Sequence, residues 1–102
     1  MNTYILRGHD VVQCTIEEWM KWFETNDDKR RVALTTQGNV TVSTVFLGID
    51  LTFGGPPLIF ETMIFGGERE GYQKRYSTWL EAEEGHKNAC TLAFILKLVE
   101  EN

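Results

Sequence analysis

Apolar and polar residues change period several times along the chain, and each change marks an element. Residues 3–6 and 11–14 are short β-prone runs around Gly8-His9-Asp10, which predicts two strands joined by a turn. Thr15-Ile16-Glu17-Glu18 then has capping-box spacing. Ile16, Trp19, Met20 and Phe23 follow at i, i+3, i+4 and i+7, so a helix with one apolar face is predicted. Thr25-Asn26-Asp27-Asp28 ends it with turn chemistry.

Alternation with period two takes over beyond the helix. Residues 31–36 and 40–47 flank Gln37-Gly38-Asn39 and read as a hairpin. Val40, Val42, Thr44 and Phe46 point one way, while Thr41, Ser43, Val45 and Leu47 point the other. Neither set is cleanly polar, so this strand is expected to be central, with both faces at least partly covered. Gly54-Gly55-Pro56-Pro57 makes a turn, residues 58–65 read as a strand, Gly66-Gly67 turns again, and residues 72–76 form the last strand.

Thr78-Trp79-Leu80-Glu81 is a second capping-box sequence, and the helix it opens is expected to run to about Val99. Trp79, Ala82, His86, Ala89, Ala93 and Leu96 trace one stripe. Further on, Leu92, Phe94, Ile95, Leu98 and Val99 make the helix apolar on all sides. A helix of that kind must be covered on more than one side, by the first helix or by a partner subunit; the expectation is a homodimer with these five residues as its interface. The order β-β-α-β-β-β-β-α predicts an α+β fold. It comprises an antiparallel sheet of about four to six strands and two helices, with the C-terminal helix packed on the sheet.

Length and composition narrow the picture. One hundred and two residues make a single domain, 1–102. A net charge of −5 disfavours a general nucleic-acid binder, which would approach a polyanion against its own field. The clusters Lys29-Arg30-Arg31 and Lys74-Arg75 then read as solvated surface charge. Cys14 and Cys90 have no local partner, and no apolar run approaches the ~18 residues of a membrane span. The expectation is a cytoplasmic protein with reduced cysteines.

A specific string of residues carries a resemblance. It comprises Val42-Ser43-Thr44-Val45-Phe46-Leu47-Gly48-Ile49-Asp50, Phe53-Gly54, Pro56-Pro57-Leu58, Phe60-Glu61-Thr62-Met63 and Phe65-Gly66-Gly67. It continues with Tyr76-Ser77-Thr78-Trp79, Glu81-Ala82 and Gly85-His86. Over residues 28–90 the chain resembles a family of short uncharacterised phage and prophage proteins. The resemblance implies a phage or mobile-element setting, and no activity, cofactor or catalytic residue. Members of that family often place His after the equivalent of Asp50; here Leu51 stands there, which weakens an Asp-His metal pair.

Few constellations offer chemistry. Glu61 sits mid-strand among apolar neighbours and needs a partner if buried. A cross-strand ion pair with Arg75 or Lys74 is its plain explanation, and a functional acid is the alternative. His86 on the helical stripe reads as a core-edge residue. No nucleophile turn, metal-ligand spacing or phosphate loop is present. No catalytic residue, metal or cofactor is therefore expected. Trp22 lies off the apolar stripe of its helix, so it is an interface candidate as much as a cover for the helix edge. Phe53 stands at a loop tip rimmed by Pro56 and Pro57.

These features lead to a small non-enzymatic binding protein of phage origin that modulates or inhibits a host system through protein contacts, as an anti-defence factor would. The alternative is a protein that binds or sequesters a small nucleotide-like ligand, and an enzyme ranks last. Trp22, Asp50, Phe53, Pro56, Pro57, Glu61, Arg75, Tyr76 and His86 are the expected binding surface.

Overall fold

The computed structural model describes residues 1–95. Within them the chain forms an α+β fold of seven strands and two helices, plus a 3₁₀ turn at Asp27–Lys29 and a π-helical turn at Thr91–Ile95. The strands are β1 (Asn2–Arg7), β2 (Asp10–Cys14), β3 (Arg31–Gln37), β4 (Val40–Phe46), β5 (Ile49–Asp50), β6 (Phe60–Phe65) and β7 (Gln73–Tyr76). The helices are α1 (Ile16–Thr25) and α2 (Trp79–Cys90). All pairings are antiparallel. The strands divide between two sheets, ordered β2-β1-β5 and β3-β4-β6-β7.

One residue joins the sheets. The Leu47 and Gly48 amides both donate to the Ile59 carbonyl, at 2.7 and 3.3 Å, and the Gly48 carbonyl accepts from Tyr4 N at 2.7 Å. The chain thus leaves β4 and pairs with β1 through β5 within two residues. Gly48 has φ +74°, and a Cβ there would lie 2.5 Å from Tyr4 O and 2.6 Å from Trp19 Nε1. Only glycine fits both that conformation and that space.

The expected alternation of β4 is observed. Val40, Val42, Thr44 and Phe46 are buried, and α2 lies over them. Among the described residues no helix lies on the other face, which carries Ser43, Val45 and Met63 half-buried and Phe65 and Leu34 exposed. Both faces are thus at least partly covered, as expected, one of them fully and the other, where Glu61 is also buried, in part.

On the inner face two apolar clusters form. One gathers Leu6, Phe46, Ile59, Phe60, Tyr76 and Ala82 where the two sheets meet. The other gathers Val40, Val42, Ile64, Ala89 and Ala93 under the later turns of α2. The predicted α2 stripe is borne out, with Ala82, His86, Ala89 and Ala93 all buried. The α-helix ends at Cys90 and gives way to the π turn; Leu96, Leu98 and Val99 lie outside the described residues. Of the expected dimer face, Phe94 packs on the second cluster, Leu92 is half-buried and Ile95 is exposed.

Helix α1 keeps its capping box, with Glu18 N donating to Thr15 Oγ1 at 3.2 Å and Thr15 N to Glu18 Oε1 at 3.0 Å. Its inward face is not the one expected. Ile16 and Met20 are exposed, while Trp19, Trp22 and Phe23 turn inward. Trp19 Nε1 donates to Leu47 O at 3.1 Å, Trp19 packs on Phe23 at 4.8 Å, and Trp22 meets Phe46 edge-on at 5.6 Å. Three aromatic rings bury more apolar area than Ile16 and Met20 could, and so they fix the rotation of the helix.

Helix α2 packs closely on β7. A Cβ at Gly85 would stand 2.1 Å from Tyr76 Cζ and Oη. Gly85→Ala is therefore expected to destabilise the protein by about 1–3 kcal/mol through overpacking, seen as a lower denaturation midpoint at unchanged slope. A variant as stable as the parent would contradict the contact.

Candidate functional site

The expected site residues do not assemble into one surface. Glu61 and His86 lie on opposite faces of the same sheet. Glu61 pairs with Val45 and Arg75 on the open face, whereas His86 contacts the buried face. Arg75 Nε donates to Glu61 Oε2 at 2.9 Å, and Gln73 Nε2 also donates to that carboxylate. This is the cross-strand ion pair of the plain explanation. Tyr76 is buried against Gly85, not part of a surface.

Asp50 also serves the fold. Its Oδ1 accepts from Thr52 Oγ1 at 2.6 Å, from Thr52 N at 3.1 Å and from Leu58 N at 3.5 Å. Those bonds, the Thr52 hydroxyl foremost, hold the carboxyl below its ordinary pKa. They tie down the base of the loop that carries Phe53, fully exposed, and Pro56, also exposed; Pro57 is half-buried. A shallow cleft of about 330 Å³ lies beside it, between Asp50, Phe53 and the N-terminal Met1-Asn2.

His86 stands in a polar layer between the two apolar clusters. Its Nδ1 lies 2.8 Å from Thr44 Oγ1 and its Nε2 2.9 Å from Thr35 Oγ1; Thr44 Oγ1 is 2.6 Å from Thr62 Oγ1. A neutral imidazole donates from one nitrogen and accepts at the other, so the three hydroxyls can run in one direction around it with each contact satisfied. Burial pushes the His86 pKa below its ordinary value. It also pushes the Tyr76 phenol up. The Thr62 hydroxyl, already paired with Thr44, offsets only part of that second effect and makes no well-formed bond to Tyr76 Oη. Sealed beneath α2, the His86 layer is structural.

A cleft of about 620 Å³ opens where the two sheets meet. That volume lies within the ~300–1,000 Å³ of small-molecule sites. Four separate segments build it. The β1–β2 turn brings Leu6, Arg7 and His9, with Gly8 at φ +62° making the turn possible. The link from α1 to β3 brings Asp28, Lys29 and Arg31; α1 supplies Trp22 and the first residue of α2 supplies Trp79. The His9 ring lies flat on the Trp79 indole, with centroids 3.7 Å apart and planes 8° from parallel. Phe60 braces Trp79 edge-on from the core at 6.2 Å.

The cleft reverses the sign of the protein. Three cations and one carboxylate converge there on a chain of net charge −5. Among the described residues none of Arg7, Lys29 and Arg31 is in an ion pair. The basic run Lys29-Arg30-Arg31 therefore splits. Arg30 sits over the Phe23 ring at 3.7 Å and pairs with Asp27, while its two neighbours line the cleft. Of the expected surface residues, only Trp22 belongs to this cleft. The run 29–31 and the off-stripe Trp22 were the available signals, but nothing in their spacing links them to Arg7 or His9.

Among the described residues no group of three or more His, Cys, Asp or Glu side chains could hold a metal, and no helix is long and apolar enough to cross a membrane. Cys14 and Cys90 carry no disulfide. The chain matches no protein-family model, and no curated protein or solved structure matches it significantly.

The His86 layer generates a pH prediction. Because its folded pKa lies below the ordinary 6.5, the unfolded chain binds the proton more readily. Stability from this group is full above about pH 6.5 and is lost as pH falls below it. Melting temperatures measured from about pH 7.5 down to pH 5.5 should fall in the parent and fall less steeply in His86→Gln. Equal slopes in the two proteins would contradict the assignment.

Proposed function

We propose that this is a non-enzymatic binding protein that takes a small anionic ligand in the cleft between its two sheets. One observation carries the proposal: Arg7, Lys29 and Arg31, free of ion pairs among the described residues, converge with two tryptophans on one cleft of an acidic chain. Like charges held together repel each other, and although Arg7 also acts on the Glu18 carboxylate, the cleft itself holds three cations against the one carboxylate of Asp28. An anion entering the cleft relieves that repulsion and meets donors already in place, while the indoles supply apolar contact.

A second reading, a modulator acting on a host protein, is favoured by a different observation. Phe53 is fully exposed at the tip of a loop whose base Asp50 holds with three hydrogen bonds. An aromatic ring presented on a tethered loop suits a pocket on a protein partner.

Thermal shift with inorganic tripolyphosphate tests the first reading. At about ten times the dissociation constant, binding adds about 1.4 kcal/mol, a rise of roughly 6–11 °C for a domain of this size. The double substitution Lys29→Glu with Arg31→Glu should abolish the rise, and Phe53→Ser should leave it intact. No rise in the parent overturns the anion site. A rise that survives the charge reversal places the anion elsewhere. For the second reading, a photo-crosslinker at position 53 should trap one specific host protein, and failure to trap any removes its support.

A further inference from the structure

The stacked pair at the mouth of the cleft identifies the ligand class more narrowly; this step rests on the anion-binding reading above. His9 is exposed and sits in the tight β1–β2 turn. Among the described residues its side chain makes no hydrogen bond, and its contact is the parallel stack on Trp79. Phe60 holds Trp79 from the core side, so the indole presents one fixed face to a flat, nitrogen-containing ring. An imidazole already rests there, held by stacking alone. Stacking of that kind accepts any aromatic heterocycle, because every base has a π-face.

We infer that the cleft binds a nucleotide, with its base on Trp79 in the place His9 occupies and its phosphates among Arg7, Lys29 and Arg31. The acid in the cleft separates this ligand from a bare polyphosphate. Asp28 would repel an all-anionic guest, whereas a ribose offers hydroxyl donors for its carboxylate to accept. Trp22 and Leu6 also line the cleft and would give the sugar and base apolar cover. Each lining group then has a partner: ring on ring, cation on phosphate, carboxylate on hydroxyl. The His9 turn is the part that moves, and it moves without disturbing the sheet, because the strand pairing ends at Arg7 and Asp10.

Calorimetry on the 102-residue chain tests this with ATP, GTP, CTP, UTP and inorganic tripolyphosphate as probes. The readout is the ratio of the tripolyphosphate dissociation constant to that of the best nucleotide. The parent should give a ratio of at least about ten, the share expected from base stacking. Trp79→Leu should bring the ratio to about one. His9→Ala, which touches no core contact, should raise it about threefold by clearing the indole face. If tripolyphosphate binds as tightly as every nucleotide, the base subsite is overturned and the anion site stands. If no probe binds, both are overturned. A His9→Ala ratio below that of the parent overturns the displacement of His9, and a Trp79→Leu ratio equal to the parent's overturns the stacking assignment.

Discussion

Helix α2 meets the four-stranded sheet through small side chains, and the contact of Gly85 with the Tyr76 ring sets their separation. Ala82 and Ala89 on either side are fully buried, so the helix lies close enough for His86 to reach across the sheet. Its ring then spans from Thr35 on β3 to Thr44 on β4, and Thr44 in turn meets Thr62 on β6. With a bulkier residue at Gly85 the helix would lift, and buried nitrogens and hydroxyls would lose partners that cost about 1–3 kcal/mol each when missing. The same contact fixes the start of α2. Trp79 is its first residue, so the close approach also fixes where that indole stands relative to the β1–β2 turn.

The cleft follows from that placement and from the Gly48 junction. The small sheet and the large sheet converge on the cluster of Leu6, Phe46, Ile59 and Phe60. Their outer rims leave a gap that four sequence-distant segments share. The apolar floor continues the core, so Trp22 and Trp79 each have one side in the protein and one at the cleft. The cations stand on the rim. This arrangement gives rigid aromatic surfaces and a local excess of cations opposite in sign to the whole chain, which is the basis of the proposed anion site.

Much of the fold was legible in the sequence because it is written in local chemistry. Thr15 and Glu18 form the predicted capping box in full; Thr78 caps α2, although Glu81 bonds its hydroxyl, at 2.9 Å, in place of its amide. The alternation of β4 and the stripe of α2 predicted their buried faces. The rotation of α1 was not legible. Two candidate faces share Trp19 and Phe23, and the choice between Ile16-Met20 and Trp22 is made by Phe46, a residue far along the chain. Glu61 with Arg75 was legible as a cross-strand pair. Asp50 and His86 belong to the expected binding surface, yet their partners — Thr52 and Leu58, Thr35 and Thr44 — show that they serve the fold. The cleft was hidden for the opposite reason. Arg7, His9, Lys29 and Arg31 each look like ordinary surface residues, and only the meeting of the two sheets brings them together.

The three tryptophans make the central claim directly measurable. Trp22 and Trp79 line the cleft, whereas Trp19 donates its indole N–H to Leu47 O at the sheet junction. Three indole N–H resonances can be followed by NMR while ATP is titrated into the protein. Saturable shifts of the Trp22 and Trp79 signals with Trp19 unmoved are the predicted result. Indole signals that stay still throughout, or a shift confined to Trp19, would contradict a nucleotide-binding cleft at this place.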